Sequence, residues 1–198
     1  NRVRNSGRVS ELSEKVSSLN MRSHLGIAHT RWATHGAALE RNAHPHISRD
    51  GLALVHNGII ENHELLRREL INQGYEFTSD TDSEVIAHLI HKHFENTPDL
   101  LTAVRYTVSE LVGAFALAVI SEQSKNRIIL ARRGAPLLIG LGNDEVYCAS
   151  DSSALLKRTK RMIFMEDGDL AEVTVDGPTF FDGKGTTVER DIYESELS

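Results

Sequence analysis

The chain has 198 residues, with 22 Lys+Arg against 28 Asp+Glu for a formal net charge of −6, 40% hydrophobic and 25% charged residues, a composition that excludes a disordered chain. No apolar run approaches the ~20 residues of a membrane span, and the acidity, with no basic run longer than Arg132-Arg133, argues against nucleic acid or an anionic membrane as a partner. The single cysteine, Cys148, leaves no internal disulfide and points to a reducing compartment, the cytoplasm.

In chain order, Ser10 reads as the N-cap of a first helix that carries Leu12, Val16 and Leu19 at helical spacing. From Leu25 the run LGIAHTRW partly alternates and reads as a strand, followed by a His- and turn-rich loop over 33–50 that Pro45 breaks. Leu52 to His56 reads as a buried strand ending in a turn at Asn57-Gly58, since both residues tolerate positive φ. Two helices follow. Glu61 to Gln73 places Leu65, Leu66, Leu70 and Ile71 on one face, with Gly74 as its C′ residue. Thr81-Asp82-Ser83-Glu84 is a capping box opening a helix with Val85, Ile86, Leu89, Ile90 and Phe94 inward. Pro98-Asp99 starts a third helix, with Leu100, Leu101, Val104, Val108 and Leu111 as its stripe and Gly113 closing it. From Ala114 the pattern turns to strands: AFALAVIS, RIILAR, LLIGLG, EVYCA, MIFM, DLAEVTV and TFFD, with a short helix over Asp151 to Arg158. Strands, then helices, then mostly antiparallel strands predict one layered α+β domain rather than a βαβ one.

All ten histidines lie between His24 and His93. His88 and His91 share a helix face, but His93 falls ~140° around from His88, so the three cannot converge on one ion. His44-Pro45-His46 lacks a nearby completing ligand. Hydrogen-bonded or solvated histidines are therefore expected, and no metal. Gly140-Leu141-Gly142 reads as a turn rather than a nucleotide loop. Cys148, in an apolar strand, reads as an inert buried thiol rather than a nucleophile.

Three polar groupings carry chemistry. Arg31, followed by Trp32, Thr34 and His35, offers a guanidinium fork for a carboxylate. Asn57-Gly58 offers a side-chain amide and a bare backbone N–H, the two donor types of an oxyanion hole. Asp82, at a helix N-terminus, is stabilised as an anion and suits an ammonium. Each also has a plain structural reading: a surface arginine, a hairpin turn, a helix cap.

Together GIAHTRWATHG, NAHPH, HNGIIEN and SDTDSEVIAHL closely resemble the glutaminase domain of the glutamine–fructose-6-phosphate aminotransferases, and the resemblance runs on through RRGAPLLIGLG and ASDSSALL. These are class II glutamine amidotransferases, and the resemblance implies the four-layer α/β/β/α sandwich of the N-terminal-nucleophile hydrolases. It further implies hydrolysis of glutamine through a cysteine thioester, with the ammonia passed to fructose 6-phosphate to make glucosamine 6-phosphate. By the same resemblance Asn57 and Gly58 form the oxyanion hole, Arg31 clamps the glutamine α-carboxylate and Asp82 anchors its ammonium. Thr34 and His35 are substrate-loop contacts and Trp32 the gate to the ammonia passage. No cofactor is implied, and the partners are glutamine, the sugar phosphate through an isomerase domain, and a second copy in a homodimer.

The family's nucleophile is a cysteine at the first position of the mature chain, with its own α-amine as base. The resemblance places Asn1 several dozen residues after it, so the expectation is an N-terminally incomplete glutaminase domain over 1–190, with 191–198 starting a linker. On that expectation this stretch alone is inactive. The alternative is a non-catalytic glutamine- or glutamate-binding module of the same fold, and a His-rich metallohydrolase is a weaker one.

Overall fold

Short polar turns between apolar runs favour antiparallel pairing, and the computed structural model, which describes residues 1–31 and 37–195, contains two antiparallel sheets. The helices are α1 (Val9–Ser18), α2 (His63–Asn72), α3 (Asp82–Phe94) and α4 (Leu100–Glu110). The strands are β1 (His46–Ile47), β2 (Ala53–Ile60), β3 (Gly113–Ser121), β4 (Ser124–Arg133), β5 (Leu138–Leu141), β6 (Val146–Ala149), β7 (Arg161–Phe164), β8 (Leu170–Thr174), β9 (Gly177–Phe181), β10 (Thr187–Val188) and β11 (Tyr193–Glu194). The larger sheet has the order β1-β2-β3-β4-β8-β9-β10, the smaller β11-β7-β5-β6.

The two-residue period of a strand divides the core. On β3 and β4, Leu117, Val119 and Ile129 face the helices, where they meet Leu66 and Leu70 of α2, Ile86 and Ile90 of α3 and Val104 of α4. Ala116 and Leu130 face the other way, onto Leu137, Ile139, Ile163 and Met165 next to and within the smaller sheet. A small third cluster, Leu138, Leu155 and Met162, lies under the 3-10 turn Ser152–Ala154. The layers are therefore helices, sheet, sheet and a short helical cover, the α+β sandwich expected, with its fourth layer no more than that turn among the described residues. No described helix is long and apolar enough to cross a membrane.

Several local expectations are corrected. Asn57-Gly58 is not a turn: both residues lie inside β2, opposite Ala116 and Phe115 of β3. The eight-residue ladder from Ala53↔Ile120 to Ile60↔Gly113 outweighs the local turn preference. Among the described residues, 25–31 form no strand, so Arg31 does not end one. Helix α1 is capped at Arg8 rather than Ser10 and buries none of its residues. On α2 only Leu66 and Leu70 are buried, while Leu65 and Ile71 are 52% and 51% exposed. Helix α4 stops at Glu110, and Gly113 opens β3 instead of closing the helix. Gly74, with φ 82°, does follow α2 as expected of a C′ glycine.

Candidate active site

Three separate segments deliver the site. Strand β2 brings His56, Asn57 and Gly58, the first turn of α3 brings Asp82 and Ser83, and the extended stretch before residue 32 brings His29 and Arg31; all line one cavity of about 160 Å³. Of the residues singled out from the sequence, Arg31, Asn57, Gly58 and Asp82 meet there. Trp32, Thr34 and His35 lie outside the described residues.

The backbone explains why β2 can serve. Gly58 has φ 128°, and a Cβ built on it would lie 2.1 Å from the Ala114 carbonyl oxygen, so only glycine lets β2 run this close to β3. Asp82 is 4% exposed, yet its carboxylate is provided for: Oδ2 accepts a hydrogen bond from the Ile60 N–H at 2.9 Å, and the α3 N-terminus favours negative charge. Arg31 donates from Nη1 to the Ala37 carbonyl at 3.2 Å. Asn57 accepts at Oδ1 from His29 Nε2 at 2.7 Å, which leaves its Nδ2 as the opposite end of the amide.

The start of α3 is held by more than its cap. Thr81 Oγ1 accepts from the Glu84 N–H at 3.3 Å, as a capping box requires. The Glu84 carboxylate does not return to Thr81 N–H; it accepts from the Thr78 and Ser79 N–H groups at 2.9 and 2.7 Å and from both hydroxyls. Against the desolvation that burial imposes, these hydrogen bonds hold the Glu84 carboxyl below its ordinary range. The loop leading into Asp82 is thereby fixed.

Three imidazoles, those of His29, His44 and His56, line the cavity, and that of His46 stands beside them; the sequence leads to hydrogen-bonded or solvated histidines but does not bring these four together. Ser83 Oγ bonds His44 Nε2 at 3.1 Å and His56 Nδ1 at 2.9 Å, and His46 Nε2 bonds Thr81 Oγ1 at 3.1 Å. The His29 and His44 rings lie 4.0 Å apart between centroids. Burial lowers the pKa of all four, His46 to about 4, so they are neutral at pH 7. They are hydrogen-bonded histidines, and among the described residues no three His, Cys, Asp or Glu side chains converge to hold a metal. The signal that could have found them is position: each of the four sits in one of the motifs AHTR, NAHPH and HNG that flank Arg31 and Asn57.

A larger cavity of about 300 Å³, between the sheets, is lined by His56, Asn57, Leu137 and Cys148 among others. Desolvation pushes the half-buried Cys148 thiol up to about 12, so it stays protonated and is no nucleophile at neutral pH. Gly140 and Leu141 are not in a turn but inside β5, opposite Tyr147 and Val146; only Gly142, whose N–H bonds the Glu145 carbonyl at 2.9 Å, belongs to the turn between β5 and β6.

The cavity thus combines a fixed cation, a buried carboxylate and neutral donors of two kinds. A family profile described as "Glutamine amidotransferase domain" matches residues 29–157. Among curated relatives, the glutamine–fructose-6-phosphate aminotransferase (isomerizing) of Xylella fastidiosa strain 9a5c is 51% identical over 197 residues, 100% of this chain and 32% of that protein. Its counterpart from Xanthomonas campestris pv. campestris is 56% identical over 174 residues, 88% of this chain and 28% of that protein. The chain therefore spans about a third of the length of the curated relatives it matches. Among solved structures, the glutamine phosphoribosylpyrophosphate amidotransferase of B. subtilis, complexed with ADP and GMP, aligns with TM-score 0.66 at 30% identity, over 78% of this chain and 34% of that one.

Proposed function

The chain belongs to the glutamine amidotransferase family, and from that premise we propose that it is the glutaminase part of a longer cytoplasmic enzyme that aminates fructose 6-phosphate with glutamine nitrogen. The observation that carries this reading is the meeting of Arg31, Asn57, Gly58 and Asp82 around one cavity, from three segments far apart in sequence. A free glutamine offers that set a carboxylate, an ammonium and a side-chain amide at once. In the proposed complex Arg31 takes the α-carboxylate in a bidentate pair and Asp82 the α-ammonium. Thr34 and His35 add substrate contacts, and Trp32 gates the ammonia passage.

The reaction is assigned to a cysteine at the start of the longer protein, activated by its own α-amine, whose ordinary pKa near 7.7–8.0 lets it take the thiol proton at neutral pH. The thiolate sulfur bonds the glutamine side-chain carbonyl carbon, and the carbonyl electron pair moves onto oxygen. Asn57 Nδ2 and the Gly58 N–H hold that oxyanion. Collapse of the intermediate breaks the C–N bond, the nitrogen takes the proton and leaves as ammonia, and a γ-glutamyl thioester remains. Water then attacks the thioester, releasing glutamate and restoring the thiol. In this reading residues 1–190 belong to the glutaminase domain, 191–198 begin the linker to a sugar isomerase domain, and the longer protein is a homodimer.

The full-length protein supplied with glutamine and fructose 6-phosphate is expected to form glutamate and glucosamine 6-phosphate in equal amounts. Glutamate formed with no aminated sugar phosphate would overturn the assigned acceptor.

A further inference from the structure

We propose that His29 is a positioning residue for Asn57: its Nε2–H holds the amide oxygen and so turns the Nδ2 donors toward the cavity, the orientation an oxyanion requires. The inference rests on the glutaminase reading and adds to it a residue which that reading does not use. The two ends of an asparagine amide have nearly the same size and opposite polarity. Turned by half a rotation, the same side chain would present a carbonyl oxygen to the developing negative charge and repel it. Nothing in the shape of the residue chooses between the two states, so a neighbour must.

His29 is that neighbour. A carbonyl oxygen only accepts, so the 2.7 Å contact between His29 Nε2 and Asn57 Oδ1 requires the proton on Nε2. Burial keeps the imidazole neutral at pH 7, leaving it a single N–H, and the Asn57 contact fixes that proton on Nε2. The ring is itself held in place. It lies on His44 with centroids 4.0 Å apart, and His44 Nε2 is bonded to Ser83 Oγ at 3.1 Å. Ser83 Oγ is also hydrogen-bonded to His56 Nδ1 at 2.9 Å, one residue before Asn57. Asn57 is thus braced from two sides against the first turn of α3, the turn that carries Asp82. The oxyanion donor and the ammonium anchor share one support.

The test uses glutamine hydrolysis by the full-length protein in five forms: wild type, His29→Leu, His29→Gln, Asn57→Ala and the double variant His29→Leu/Asn57→Ala. Glutamine Nε2 stands the same number of bonds from Cα as imidazole Nε2, so His29→Gln keeps a donor in reach of Asn57. Loss of orientation in His29→Leu is expected to lower kcat about 10- to 100-fold with KM for glutamine changed less than about threefold. His29→Gln is expected to recover kcat to within about threefold of wild type, and His29→Leu to cost less than about twofold once Asn57 is already alanine. Should His29→Leu fail to fold, His29→Asn, whose amide is one carbon too short to reach, replaces it with the same expected results. Effects of the His29 and Asn57 changes that multiply independently, or no recovery in a folded His29→Gln, would overturn the inference while the glutaminase reading stands. A wild-type protein that releases no glutamate overturns both.

Discussion

At Gly58 the backbone itself demands glycine. The φ of 128° and the 2.1 Å approach of a built Cβ to the Ala114 carbonyl mean that Gly58→Ala must move one strand of the β2/β3 ladder. A loss of roughly 3 kcal/mol or more in urea unfolding is expected; a change within ~0.5 kcal/mol would contradict the fit described. Arg31→Ala, by contrast, is expected to leave stability nearly intact and to raise the KM for glutamine about 10²-fold or more, through loss of a charge-paired contact. A KM within a few-fold of wild type would remove Arg31 from the site. That both residues belong to one site was legible from the motifs, and they do line one cavity, but the local structure of Asn57-Gly58 was not legible. A dipeptide that favours turns in isolation was overruled by eight consecutive pairings with a strand more than fifty residues downstream. Cross-strand partners of that kind leave no mark in the local sequence.

At the level of elements, the first turn of α3 organises the site, and Glu84 organises that turn. Its carboxylate accepts from two backbone N–H groups and two hydroxyls of Thr78 and Ser79, all near the point where the chain bends into Asp82. Glu84→Ala strands the buried donors and is expected to cost about 3 kcal/mol or more. Thr81→Ala removes the cap together with the hydroxyl's contacts to His46 Nε2 and Ser79 Oγ, fewer bonds and none to a charged group, and is expected to cost about 2 kcal/mol. Urea unfolding of the two variants checks the order; a Thr81 effect larger than the Glu84 effect would contradict it. The capping motif was readable in sequence, and Thr81 does cap the helix. What could not be read was that Glu84 turns back to the preceding loop while staying buried, because that choice depends on where Thr78 and Ser79 fold back. The same limit explains 25–31: its alternation is real, since Leu25, Ile27 and His29 are half-buried and their neighbours exposed, but among the described residues no strand pairs with it.

Across the whole molecule, the four neutral imidazoles in and beside the cavity tie stability to pH. An unfolded histidine takes up a proton below about pH 6.5, whereas folded His46 does so only near 4. Between those values the unfolded chain binds more protons, so stability falls as pH drops through this window, by about 2 kcal/mol at pH 5 from His46 alone. His29, His44 and His56 shift in the same direction and add to it. Urea midpoints at pH 7.5 and pH 5 check this, and equal midpoints would contradict the buried, neutral state. The sequence did mark the right half of the chain by crowding every histidine before residue 94. That three of them bond the start of α3 and His29 packs on one of these depends on tertiary contacts between segments roughly 15 to 50 residues apart.

The central claim is that this cavity hydrolyses the glutamine amide with Asn57 as an oxyanion donor. Steady-state glutamate release by the full-length protein, wild type beside Asn57→Ala, tests it most directly. The expected result is turnover by the wild type and a rate about 10²- to 10³-fold lower in the variant. A full-length protein that aminates its acceptor from free ammonia but releases no glutamate from glutamine would contradict it.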